Sequence, residues 1–400
     1  MERQVVCLAI VAALLATGLP LTVSCGEENA GPAAAPLTRL TFVYRGNTVE
    51  DSVTLPTTNI TTPLDLSRAV PVEATPVWSP DGSRIAFYSR GASEPSDPDT
   101  NLDIYVTGAD GSDVLRLTDD PSADAFPSWS PDGAQLVFYS ERTGNGDVFA
   151  MNVDGSGVTR LTDDPAIDIP HGWSPDGAEI LFSSARDGDL ELYLMGGNGG
   201  SPTQVTNNAV HDLSPAWSPD GSQIVLQSQG PGSRDVFVFN RLTNITTNLT
   251  VHSLWDGQPA LAPDGINLAF VSEREGNAEI YVMDTELSFL IRVTRASRED
   301  SHPVWSPDGS RLAFTSNRDT DREVYVSNVD GSGQTRLTLS PGLDTAPSWS
   351  PDGSRIAFVS TRGGGRDIYV VNSDGSGATR ITNNGGAPRR TRSPEEETLP

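Results

Sequence analysis

Carboxylates recur at one phase along this chain. Asp124, Asp168, Asp212, Asp256, Asp300 and Asp344 each stand five residues before a tryptophan or its leucine substitute, and Glu73 holds that place in the first unit. A ring of acids at a channel mouth could receive a cation or a basic peptide tail. The same carboxylates could instead accept hydrogen bonds from backbone N–H groups of their own loops, a need that repeats in every unit. A second acidic run offers oxygens at alternate positions, Asp97, Asp99, Asn101 and Asp103, as a calcium loop does. Leu102 replaces the glycine of the sharp turn there, and Gly108 stands where a bidentate Glu belongs, so an acidic surface loop is the competing reading. No other cofactor is expected.

Basic and acidic residues also pair at a fixed spacing: Arg142/Asp147, Arg186/Glu191, Arg274/Glu279, Arg318/Glu323 and Arg362/Asp367. Five positions across a hairpin suit a cross-strand ion pair, which is a structural role. Of four histidines, His171 and His302 adjoin Pro170 and Pro303 near the tryptophans, while His211 and His252 fall elsewhere in the period. No His-x-x-x-His or Cys-His spacing points to a transition metal.

These groups are carried by a repeat. Trp-Ser-Pro-Asp-Gly occurs at Trp78, Trp129, Trp173, Trp217, Trp305 and Trp349, and Leu261-Ala262-Pro263-Asp264-Gly265 fills the gap in the series. From Gly133 to Gly353 the motif glycines are 44 residues apart, whereas Gly82 to Gly133 spans 51. Each unit reads as four strands: A (Pro347–Ser350), B (Arg355–Ser360), C (Asp367–Val371) and D (Arg380–Thr382). Ser-Pro-Asp-Gly suits a tight turn between A and B. Strand B is apolar on both faces, as a sheet sandwiched between two others requires. A period in the forties with four short strands predicts an all-β propeller of antiparallel blades.

The period also runs back before Trp78. Arg39–Phe42 matches strand B, Asp51–Val53 matches strand C and Leu64–Ala69 stands in for strand D. The economical solution is eight blades, with strand A of the first supplied by 387–393 so that the terminal strands close the ring. Seven blades with an N-terminal appendage is the other solution. The domain reading is a signal peptide over 1–24, a tether over 25–37, the propeller over 38–393 and a disordered tail over 394–400.

The formal net charge is −26, and all 27 basic residues are arginine. Such an acidic chain repels phosphate backbones, which excludes nucleic acid as a partner. Val5–Leu19 is too short to span a membrane and reads as a secretory signal. Leu21-Thr22-Val23-Ser24-Cys25 has the form of a lipobox, so Cys25 is the expected lipid attachment site of an exported monomer held at the bacterial envelope.

The motif residues resemble the TolB-type propeller repeat, Pro-x-Trp-Ser-Pro-Asp-Gly-x-x-Ile-Ala-Phe-x-Ser continuing to Asp-Ile-Tyr-Val, over about residues 38–383. The resemblance implies a TolB-like envelope lipoprotein, not TolB itself, whose α/β domain would precede the repeats. Related repeats occur in prolyl-oligopeptidase-type peptidases, but this chain contains no Gly-x-Ser-x-Gly elbow. The expected function is a non-catalytic scaffold that binds an envelope protein or peptide. The alternative is a channel-site lyase or hydrolase, or a carbohydrate-binding propeller, built from an acid with His171 or His302.

Overall fold

The computed structural model of the protein describes residues 21–27, 38–44, 52–55, 73–90, 101–229, 233–319, 321–363 and 365–382. Seven four-stranded antiparallel sheets occupy 73–116, 124–160, 168–204, 213–248, 256–292, 300–336 and 344–380, numbered here as blades 1 to 7. Each is built from four consecutive strands, A to D. In blade 2 these are Asp124–Trp129, Gln135–Ser140, Asp147–Asn152 and Thr159–Arg160. Strands A line the centre of the ring, and the short strand D, two to four residues long, lies at the rim. The A–B and C–D turns therefore share one face of the ring, and the B–C and D–A loops share the other.

The turn chemistry is as the motif predicts. Gly133 takes φ 70° and donates to Ser130 O, while Asp132 accepts from Ser130 Oγ at 2.6 Å and from Ala134 N at 3.0 Å. Strand B supplies the core: Leu136, Val137 and Phe138 are wholly buried, as are their counterparts in the other blades. A threonine after strand D then fastens strand C, with Ile104, Val148, Leu192, Val236, Ile280, Val324 and Ile368 each donating N–H to its hydroxyl.

Eight blades are not formed. The strands expected near 39–53 exist as Thr38–Tyr44 and Ser52–Leu55, but their third partner is Leu21–Glu27, in a separate three-stranded sheet. Residues 387–393 lie outside the described residues, and every described sheet draws its strands from one continuous stretch. The seat between blades 7 and 1 is taken. Trp129, Trp305 and Trp349 donate Nε1 to a carbonyl of the preceding blade (Val77 at 3.0 Å, Ala260 at 2.8 Å, Val304 at 3.3 Å), and Trp78 does the same to Ser348 of blade 7 at 3.1 Å. Arg355 stacks on Trp78 as Arg311 stacks on Trp349, and a Cβ at Gly82 would rest 3.4 Å from Pro351 as one at Gly353 would rest 3.6 Å from Pro307. Blade 7 thus abuts blade 1 through side chains, with no shared sheet. Sequence periodicity located two of the three expected N-terminal strands but not the sheet they join, and the third, Leu64–Ala69, lies outside the described residues.

Candidate functional site

The six phase-locked aspartates each open a strand A, or directly precede it at Asp212, and all are 0 % exposed. Five meet an arginine from their own B–C loop: Arg142–Asp124 at 2.9 Å, Arg186–Asp168 at 3.1 Å, Arg274–Asp256 at 3.1 Å, Arg318–Asp300 at 2.7 Å and Arg362–Asp344 at 2.6 Å. A strand-B serine orients each guanidinium by accepting from Nε at 2.7–2.8 Å. The same arginines lie over stacked or tilted aromatic pairs such as Phe182 and Tyr193. Burial pushes the carboxyls of Asp124, Asp168 and Asp256 up from the usual range, and that of Asp300 to about 6, against the pull of serine and arginine. Glu73 opens strand A of blade 1, and its side chain lies outside the described residues.

The expected five-residue Arg–acid pairs are not formed. Each arginine turns instead to the aspartate 18 residues before it, and the strand-C acid takes an arginine from strand D. Asp103–Arg116 at 2.6 Å, Asp147–Arg160 at 2.8 Å, Glu279–Arg292 at 3.2 Å, Glu323–Arg336 and Asp367–Arg380 at 2.5 Å are the pairs. Of the calcium-loop residues, Asp97 and Asp99 lie outside the described residues. Asn101 donates to Asp120 O and Ser122 O as Asn145 does to Asp164 O and Ala166 O, and Asp103 keeps the strand-C partner of every regular blade. Among the described residues no three His, Cys, Asp or Glu side chains gather in a way that could hold a metal ion.

Between blades 3 and 4 the pattern stops. Gln204 stands where strand D has its arginine, and Gly230 stands where the B–C loop has its own. Glu191 and Asp212 therefore lie together without a guanidinium. Asn208 bridges them, its N–H to Glu191 at 2.7 Å and its Nδ2 to Asp212 at 2.9 Å. Burial and the neighbouring Asp212 push Glu191 up to about 7. In blade 4, Asp235 takes Asn248 at 2.8 Å in place of an arginine.

Strand A carries a bulge in every blade. It places Thr75, Phe126, Ser214, Gln258, His302 and Ala346 at φ 42–55°, a region costly for residues with a Cβ. Blade 3 differs because its proline comes one residue early, at Pro170, and a proline ring cannot take positive φ. There the bulge moves to Gly172, φ 121°, and His171 comes against Ser183, Nε2 to Oγ 2.7 Å. The displaced backbone also leaves Trp217 Nε1 without the acceptor that other motif tryptophans find.

The bulge residues touch from blade to blade. Gln227 Oε1 accepts from Gln258 N at 3.4 Å, Gln258 Oε1 accepts from His302 N at 2.8 Å, and His302 Nδ1 lies 3.0 Å from Ser301 Oγ. Burial lowers both His171 and His302 to about 4, so both are neutral near pH 7. On blades 1 and 2 the same layer is aromatic, with Phe126 edge-on to Tyr88 and Tyr139. Sequence reasoning placed both histidines beside strand A but passed over Gln227, Gln258, Arg234 and Arg322. The signal for them was variation at a fixed phase: Tyr88, Tyr139, Ser183, Gln227, Val271, Thr315 and Val359 share one position.

The TolB beta propeller domain profile matches residues 201–303 and 291–399, and the Tricorn protease N-terminal beta propeller domain profile matches 100–191. This chain belongs to the TolB-like β-propeller repeat family. The Tol-Pal system protein TolB of Anaeromyxobacter dehalogenans is 46 % identical over 54 residues, which is 13 % of this chain and 11 % of that protein. The match thus spans far less than the length of that relative. Among solved structures, an oligogalacturonate lyase in complex with manganese covers 88 % of this chain and 96 % of its own at 17 % identity, TM-score 0.62. A puromycin-hydrolyzing peptidase of Mycobacterium tuberculosis covers 80 % of this chain and 55 % of its own at 14 % identity, TM-score 0.64. At those identities the likeness to this TolB-like chain is one of fold.

Proposed function

We infer that the propeller is a binding scaffold whose ligand face is the inner end of strands A, on the side of the B–C and D–A loops. One observation carries this reading: the side chains that differ between blades at one repeat position, Ser214, Gln258, His302 and Ala346, stand partly exposed on the innermost strands. The repeated carboxylates, by contrast, are occupied within the protein, five by arginine and Asp212 by Asn208. The two histidines beside strand A face hydroxyls and not carboxylates: His171 faces Ser183 and His302 faces Ser301.

The TolB-like repeats support an envelope location and an envelope protein or peptide as partner. A photo-crosslinking residue at Gln258 should give a discrete adduct in intact cells, and the same residue at Asp220, on the A–B turn face, should not. Equal labelling from both faces, or none from Gln258, overturns the reading. Attachment through acylated Cys25 is part of the same proposal, and Cys25→Ser should then release the protein from membranes; unchanged partitioning would remove the anchor.

A further inference from the structure

Two arginines at one repeat position, Arg322 and Arg234, have no counter-charge among the described residues. Arg322, at the start of strand C in blade 6, is 7 % exposed, and among the described residues no carboxylate pairs with it and no hydrogen bond holds its guanidinium. Its blade-4 counterpart Arg234, two periods earlier, likewise has no ion pair among them. Every other buried or half-buried arginine described above is matched to an acid or stacked on a tryptophan. In a chain of net charge −26 such isolation is not for want of acids. Its guanidinium nitrogens are not among the fully buried unpaired atoms, so they keep contact with solvent and are open to an anion.

The backbone shows where these side chains point. At the same repeat position a Cβ on Gly146 would fall on the ring of Tyr139, the strand-B residue that corresponds to Thr315 in blade 6 and Gln227 in blade 4. Arg322 accordingly lies within electrostatic reach of His302. In the same blade, Thr315 Oγ1 and His302 Nε2 are buried polar atoms that lack partners, as is Gln227 Nε2 at the far end of the chain Gln227–Gln258–His302. Gln227 Oε1 already accepts from Gln258 N, so its amide is turned with the free Nε2 outward. In the tautomer in which Nδ1 accepts from Ser301 Oγ, His302 Nε2 carries the proton and is a donor as well.

We propose that Arg322, with the donors His302, Gln227 and Thr315, forms a carboxylate-binding site on the inner strands of blades 4 to 6. A guanidinium fork matches a carboxylate in a plane, and neutral amide, hydroxyl and imidazole donors complete its lone pairs without adding charge. The inference deepens the scaffold reading, since it names the group by which a ligand would be held. That group is the carboxylate of a small organic acid or of a peptide C-terminus.

The test is a melting series on the full chain, with millimolar succinate, inorganic phosphate and sodium chloride compared at equal ionic strength. Succinate should raise the midpoint of the wild-type protein above the chloride reference, as a ligand of the native state does. Arg322→Gln should abolish that rise; the exposed Arg84→Gln should keep it. No rise in the wild type, an equal rise in Arg322→Gln, or an equal rise with phosphate overturns the proposal. If Arg322→Gln does not fold, calorimetric titration of succinate into wild type and His302→Asn decides, with affinity falling in the variant; equal affinities overturn it. A peptide with a free C-terminus, compared with its amide, distinguishes the two sources. A succinate response without an adduct at Gln258 leaves the site and removes the envelope partner, and the reverse outcome removes only the site.

Discussion

Blades 5 to 7 and the junction of blades 3 and 4 are built from the same repeat and solve the same problem differently. In blades 5 to 7 the buried acids at the starts of strands A and C all meet a guanidinium, the bulge sits before the proline of strand A, and Trp305 and Trp349 bond the blade behind. At the junction Glu191 and Asp212 share an asparagine, the bulge has moved to Gly172, and Trp217 Nε1 has no acceptor. Structural needs recur with the period, so a feature present in nearly every blade belongs to the frame. The departures collect at that junction, and the polar inner layer runs on from it, through Gln227 of blade 4 and Gln258 of blade 5 to His302 of blade 6. That arc is where a ligand can be read without taking the frame apart.

The largest expected effect belongs to the regular side. Asp256→Ala leaves Arg274 half-buried and unpaired, and should lower unfolding free energy by about 3–5 kcal/mol, read as a drop in denaturant midpoint at constant slope. A loss under about 1 kcal/mol would erase the contrast with the junction.

At the junction the effect is smaller and depends on pH. Glu191, raised to about 7 in the fold, binds a proton more tightly there than in the unfolded chain. Its contribution is therefore full below the unfolded carboxyl range and is lost as pH rises towards and past 7. Glu191→Gln should thus melt higher than wild type at about pH 8 and no higher at about pH 4; a pH-independent difference would contradict the shared-proton arrangement. His171 and His302 act in the opposite sense, being depressed to about 4. Their contribution is complete above about pH 6.5 and lost as pH falls towards 4, so His302→Gln should flatten the acid limb of the stability profile. An unchanged acid limb would place the titration elsewhere.

Much of the frame was legible because it rests on local rules. Ser-Pro-Asp-Gly forces its turn, strand B declares its two buried faces, and the 44-residue phase carries both around the ring. Partner choice was not legible. Arg142 lies five residues from Asp147, yet it bonds Asp124, because Ser140 holds its Nε and aims the fork at strand A. Strand spacing along a hairpin says which residues are near, not which way a long side chain is steered. Blade number failed for a related reason: the residues before Trp78 have blade-like strands, but membership of a ring is decided by what packs against Trp78, and Ser348 already does. Arg322 was invisible because nothing in its local sequence marks a cation as unpaired; only the full set of ion pairs does.

The displaced bulge at Gly172 has one more consequence. Where the chain begins and ends its circuit, between blades 7 and 1, the joint has the same indole-to-carbonyl bond as its regular neighbours. Between blades 3 and 4 that bond is missing, and Arg241 spans the gap instead, ion-paired to Glu179 and stacked on Trp217 at a partly exposed site. Such a contact is screened by salt in a way that a buried indole bond is not. The joint where the circuit closes is therefore bonded as its regular neighbours are, and the loss of that bond falls nearer the middle of the polypeptide, at Trp217 and at Leu261.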